Sequence, residues 1–199
     1  MRNIIEILED AQSRGFLGPG SVVSHYEHAL AFGRLLSDQH ERCLDLGAGG
    51  GIPGLVLASE DQRRWTLLDA MVRRCDFLEE AVGELDVGDR VDVICARAEV
   101  MGHDENLRER FDGVVSRSFG SPAVTAECGG AFVGIGGVLV ISDPPEAGED
   151  RWPDEELERL GLKVETSLAE PAMTQLRRVS ALDESLPRRD GVPAQRPLW

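Results

Sequence analysis

The sequence predicts an α/β fold: a single doubly wound, Rossmann-like sheet of seven strands preceded by N-terminal helices. Three observations carry that expectation. Short apolar runs alternate with amphipathic helical segments, the pattern of a parallel sheet covered on both faces. A glycine-rich turn, Gly47-Ala48-Gly49-Gly50-Gly51-Ile52-Pro53-Gly54, directly follows the first apolar run, Arg42–Leu46. A second run, Trp65–Asp69, ends in a carboxylate about 20 residues after those glycines, where nucleoside-binding α/β folds hold a ribose.

Residues 2–14 have helical periodicity, and the acids inside Met1–Asp10 are wrong for a secretion signal. Gly18-Pro19-Gly20 breaks the chain before a second helix, 21–36. There Ser21 is a plausible N-cap, and Val22, His25, Ala29, Phe32 and Leu36 recur at threes and fours. Strands are expected at 42–46, 65–69, 91–95, 112–116, 137–141, 162–166 and 176–181. Pro53 marks a helix start behind the glycine turn. The helix at 71–85 places Val72, Cys75, Leu78, Val82 and Leu85 on one face and carries Gly83 at some cost. Further helices are expected at 121–133 and 154–160, the latter with acids near its positive end. No convincing long helix separates the last two strands, which therefore form an antiparallel hairpin at one edge. No repeat or linker interrupts the pattern, so residues 1–199 are read as one domain with 1–40 as a helical extension.

Bulk properties narrow the function. The longest apolar runs fall short of the roughly 20 residues that span a membrane. Cys43, Cys75, Cys95 and Cys128 lie far apart, with no paired motif and no histidine at metal-ligand spacing. A reducing cytoplasm and no metal are expected, with Cys43 and Cys95 as small buried hydrophobes in strands. The net charge of −15 argues against general nucleic-acid binding. It is unevenly spread: residues 143–170 hold ten acids against three bases, whereas 177–199 hold five arginines against three acids. A small basic site on an acidic body is compatible with that distribution.

Two nucleoside cofactors compete for the glycine turn. Gly49-x-Gly51-x-x-Gly54 literally matches the dinucleotide fingerprint, and Asp69 would then hold an NAD ribose. The register disfavours it, because the first glycine after the strand is Gly47, and only one nucleotide-binding half is visible. S-adenosylmethionine (SAM) fits better, since it has no pyrophosphate to cradle. Gly47, Gly49 and Gly51 would let the loop pass close to its methionine and ribose portions. Asp45 would orient that loop or reach the amino group, Asp69 would take the ribose hydroxyls, and backbone groups at Ala98-Glu99 would read the adenine edge.

The run Cys43–Gly54, Leu67-Leu68-Asp69, Arg73-Arg74-x-x-Phe77-Leu78, Arg97-Ala98-Glu99 and Phe111-Asp112-Gly113-Val114-Val115-Ser116-Arg117 occurs in an order and spacing that resembles the RsmG (GidB) family of bacterial 16S ribosomal RNA guanine-N7 methyltransferases. The tail Pro187–Pro193 is similar to that family's Gly-x-Pro ending, and His28 matches a histidine common there. The resemblance implies a seven-stranded SAM methyltransferase fold, with Gly47, Ile52, Ala98-Glu99 and Arg117 as cofactor contacts and 16S rRNA or the small ribosomal subunit as partner. The chain departs from the family in having Asp143 where a Lys-Gly pair is usual, and Gln195 where the tail commonly carries a lysine.

Guanine N7 has an exposed lone pair, so its methylation needs alignment and no general base. Arg117 is the expected catalytic positioning residue, and Arg188 and Arg189 the expected phosphate contacts. Alternatively Arg117 pairs with Asp69 or another local acid, and the tail arginines are solvated. His28 reads as a packed helix histidine, and Arg63-Arg64 and Arg73-Arg74 as exposed charges. Two other functions stay open: a SAM methyltransferase for a non-RNA substrate, favoured by the acidic 143–170 segment, and a SAM-binding module without turnover.

Overall fold

Alternation along each strand sorts the apolar side chains onto two faces. The computed structural model describes residues 2–146 and 148–199. In β1 (Arg42–Leu46) Cys43 faces one helical layer, whereas Leu44 and Leu46 face the other. The remaining strands are β2 (Arg64–Asp69), β3 (Val91–Cys95), β4 (Phe111–Ser116), β5 (Val133–Ser142), β6 (Leu162–Ala169) and β7 (Ala172–Arg178). They form one seven-stranded sheet in the order β3-β2-β1-β4-β5-β7-β6. β1 to β5 run parallel, and β7 lies antiparallel between β5 and β6. The order reverses between β1 and β4, which opens a crevice at the carboxyl ends of those strands.

Helices α1 (Ile4–Ser13), α2 (Val22–Gly33), α3 (Gly54–Glu60) and α4 (Val72–Glu84) cover one face, where Ile7, Phe32, Leu55 and Phe77 join Trp65, Leu67, Val115 and Val140. An Asn3–Glu6 capping box starts α1. The other face is covered by α5 (Ala98–Met101), α6 (Pro122–Gly130) and α7 (Asp154–Arg159), which pack on Leu46, Leu68, Val114 and Leu139. A short α8 (Val192–Gln195) sits beside α6. No helix among the described residues is long and apolar enough to cross a membrane.

The antiparallel hairpin lies at one edge as expected, but three details differ from the sequence reading. β5 starts at Val133, where the sequence suggested a helix end, because a register shift between Phe111 and Gly113 lets the strand pair with β4 from Val133 onward. β7 starts at Ala172 rather than Leu176, since Thr174 and Gln175 are buried polar residues that hide the strand alternation. Gln175 Nε2 reaches the Leu35 carbonyl at 2.6 Å, and Thr174 Oγ1 donates to Asp143. Cys95 is exposed, because β3 is the outermost strand; Cys43 is buried.

Candidate active site

The glycine turn is built around two close approaches. At the end of β1 the backbone N–H groups of Gly47 and Ala48 both donate to the Leu68 carbonyl, at 2.8 and 3.0 Å. Gly47 has φ +76°, and a Cβ there would lie 2.8 Å from the Phe119 ring, so the turn requires glycine. Beneath the turn Asp45 is fully buried, and its Oδ2 accepts the Gly54 N–H at 2.7 Å. A Cβ on Gly54 would fall 2.5 Å from the Asp45 Cβ, so glycine alone lets α3 start this close to β1. Burial pushes the Asp45 carboxyl up to about 7, the nearby Asp69 adds to that, and the Gly54 N–H and Arg117 oppose it. The first role of Asp45 is thus to tie the glycine loop to the sheet.

Asp69 closes the same loop from β2. Its Oδ2 accepts the Gly49 N–H and its Oδ1 the Met71 N–H, both at 2.9 Å, and Arg74 Nη1 stands 3.6 Å away. Between these elements lie two adjoining cavities of about 200 and 230 Å³, with Gly47, Arg74 and Ser118 in the walls of both. Gly49, Ile52 and Arg117 line the first; Asp69, Met71 and Ala98 line the second. Gly51 is buried behind the loop, against Leu55. Glu99 also turns away from the cavities: its Oε1 accepts from Arg97 at 2.7 Å and from the Gly191 N–H at 3.1 Å. Burial opposes ionisation of Glu99, yet its own N–H, Arg97 and Gly191 hold the carboxyl below its ordinary value.

Arg117 follows β4 and is half-buried. Its Nη2 lies 2.9 Å from His25 Nδ1, so its partner is a histidine and not Asp69 or another acid. Arg117 also lines a larger cavity of about 680 Å³, with His28, Phe119, Ser142, Asp143 and Arg151. His28 is packed edge-on against Phe32, as a helix histidine would be, and yet its Nε2 reaches Ser142 Oγ at 3.2 Å on the cavity wall. Burial first, then Arg117 and His25, keep its imidazole below the ordinary value. Asp143 is no free acid: Oδ1 accepts from Arg151 Nε and Oδ2 from Thr174 Oγ1, both at 2.6 Å.

The structure therefore brings together Gly47, Gly49, Ile52, Asp69, Ala98 and Arg117, with Asp45 and Gly51 behind the loop. Arg188 is neither solvated nor in these cavities: it clamps the buried Glu127 through its Nε and Nη2. Arg189 is exposed on the tail beside it. Sequence reasoning missed Arg74 and His25 as wall residues. The i,i+3 spacing of His25 and His28 was the available signal, since it puts both on one face of α2. Four buried atoms of these residues have no partner among the described residues: Asp45 Oδ1, Arg74 Nε, Arg117 Nη1 and Glu99 Oε2. A donor left open on Arg117, which lines the first cavity at the glycine loop, suits a ligand that carries a carboxylate group, as SAM does.

A sheet with this strand order and an antiparallel β7, a glycine turn at its reversal point and a carboxylate ending the next strand form the architecture of SAM-dependent methyltransferases. The solved structures most like it include a methyltransferase from Geobacter sulfurreducens (TM-score 0.64, 14% identity, 90% of each chain). Another is an S-adenosylhomocysteine-bound methyltransferase from Podospora anserina (TM-score 0.61, 15% identity, 90% of this chain and 89% of that one). At such identities the likeness shows the fold. The family profile described as rRNA small subunit methyltransferase G (GidB) matches residues 19–146. A curated ribosomal RNA small subunit methyltransferase G from Symbiobacterium thermophilum is 33% identical over 79% of this chain and 70% of its own. One from Fervidobacterium nodosum is 29% identical over 87% of both chains. The chain belongs to the rRNA small subunit methyltransferase G family.

Proposed function

We propose that this enzyme transfers the methyl group of SAM to N7 of a guanine in 16S ribosomal RNA, working in the cytoplasm on the small subunit or its precursor. The observation that carries the reading is the junction of the two sites: Arg117, Ser118 and Phe119 form a shared wall between the cofactor-sized cavities and the 680 Å³ cavity. Gly47, Gly49 and Ile52 would line the methionine and ribose portions, Asp69 the ribose, and Ala98 the adenine, while Glu99 shapes that end through its backbone. Arg117 Nη1 has the charge to meet the cofactor's carboxylate group, while Asp45, behind the loop, holds the glycines in place. When bound, SAM supplies an electrophilic methyl on a sulfonium centre.

The chain's task is then alignment. N7 attacks without losing a proton, and among the described residues Arg117 is the cation that both cavities share. Its guanidinium has only donors, which suits guanine O6 or a flanking phosphate. The departure at Asp143 does not weigh against RNA, because Arg151 and Thr174 occupy both carboxylate oxygens. Arg189, exposed near the cofactor's adenine end, remains the tail's phosphate contact; Arg188 serves the fold.

The test is transfer of labelled methyl from SAM to small ribosomal subunits that lack their native 7-methylguanosine. Label recovered as 7-methylguanosine in 16S RNA is the expected result. No transfer from protein that binds SAM in the same tube overturns the substrate.

A further inference from the structure

Arg117 is a half-buried cation at the centre of the site, and among the described residues no carboxylate pairs with it. Burial lowers its proton affinity and the more distant Asp45 raises it. Its one side-chain hydrogen bond runs from Nη2 to His25 Nδ1 at 2.9 Å. A guanidinium can only donate, so Nδ1 must offer a lone pair. The other ring nitrogen is accounted for independently. His25 Nε2 lies 3.2 Å from both the Gly18 and Pro19 carbonyls, which only an N–H can satisfy. His25 is therefore the neutral Nε2–H tautomer, suspended between the 18–20 loop and Arg117. It also lines the cofactor cavity with Leu17, Gly18, Gly49 and Ile52.

We propose that His25 is the positioning residue for Arg117: its Nδ1 lone pair holds the guanidinium against the glycine loop, so cofactor affinity and methyl transfer depend on this contact. The proposal rests on the reading of this site as the SAM site. The groups that face His25 are Arg117 after β4, His28 one turn along α2, and Arg74 of α4 across the cavity, with Asp45 of β1 behind Arg117. Among the described residues no acid pairs with His25. A second proton on the ring would replace the acceptor at Nδ1 by a donor and set a cation against Arg117.

Two isosteric substitutions separate positioning from mere loop support. An asparagine amide oxygen stands near the place of Nδ1, whereas a glutamine amide nitrogen stands near that of Nε2. His25→Asn thus keeps the acceptor for Arg117 and loses the loop contacts; His25→Gln does the reverse. Affinity for S-adenosylhomocysteine and the rate of methyl transfer would be measured for both variants, Arg117→Ala and the His25→Gln/Arg117→Ala double variant. Expected are a loss of about tenfold in His25→Gln, about threefold or less in His25→Asn, and a double variant within about twofold of Arg117→Ala, as residues acting through one contact are not additive. A reversed order of the two variants, or a double variant well below Arg117→Ala, overturns the proposal. Wild-type protein that binds no S-adenosylhomocysteine takes the proposal down with the cofactor site. Protein that binds it but methylates no ribosomal RNA removes only the substrate, and the affinity comparison still decides on His25.

Discussion

The Gly54 N–H donates to the Asp45 carboxylate at 2.7 Å, across a gap too narrow for any side chain at position 54. This bond joins the middle of the sheet to the first residue of α3, and it sets the path of the loop on which the cofactor would rest.

Gly54→Ala should destabilise the protein by about 1–3 kcal/mol, the usual cost of forcing a methyl into a packed interior. Its Cβ would also meet Asp45 Oδ2 and the Leu67 side chain at 2.7 Å each, so the loop must shift. Urea unfolding would measure the first effect and calorimetric titration with SAM the accompanying loss of affinity. An alanine variant as stable as wild type would show that α3 has room to move.

Asp45 gives a pH signature. Its carboxyl titrates at 3.8 in the ordinary case and at about 7 in the folded chain, raised chiefly by burial. Between those values the folded form holds a proton that the unfolded form has lost, so this group's contribution to stability declines as pH rises from about 4 to 7 and levels off above. Asparagine lacks the proton equilibrium and keeps an oxygen for Gly54. The melting-temperature difference, wild type minus Asp45→Asn, should therefore shrink across that window. A constant difference would refute the raised value.

The two tail arginines should behave differently. Arg188→Ala leaves the fully buried Glu127 without its partner, which costs about 3–5 kcal/mol. Replacing both residues by apolar ones should recover much of that loss. Arg189→Ala should change stability by no more than about 0.5 kcal/mol. It should lower the salt dependence of binding to small subunits by about one phosphate contact, with SAM affinity unaltered. Equal effects of the two substitutions on stability would contradict the structure.

Gly49→Asp should abolish SAM binding with little unfolding. A Cβ at this position finds its nearest neighbour at 3.7 Å, and aspartate tolerates the φ of +56° better than most residues. The added carboxylate would stand in the cavity beside Asp69, whose Oδ2 accepts the N–H of the same residue. Unchanged affinity in a folded variant would remove the cofactor from this loop.

The local pattern of the chain determined the fold class, the hairpin and the glycine loop. Strand and helix periods, the place of the glycines and the acid that ends β2 are local signals, and each is printed in a few consecutive residues. Only the tertiary structure decided what the charged residues do. Arg188 looked like a phosphate hook and is instead committed to Glu127, 61 residues away in sequence. Asp143 stands where the family usually has a Lys-Gly pair and is bound by Arg151 and Thr174. His25 looked like one apolar-face position among several and is the partner of Arg117, 92 residues away. A charge acquires its role from whatever lies within a few ångströms of it. In a doubly wound sheet those neighbours arrive from distant strands, helices and tail, which no spacing along the chain records.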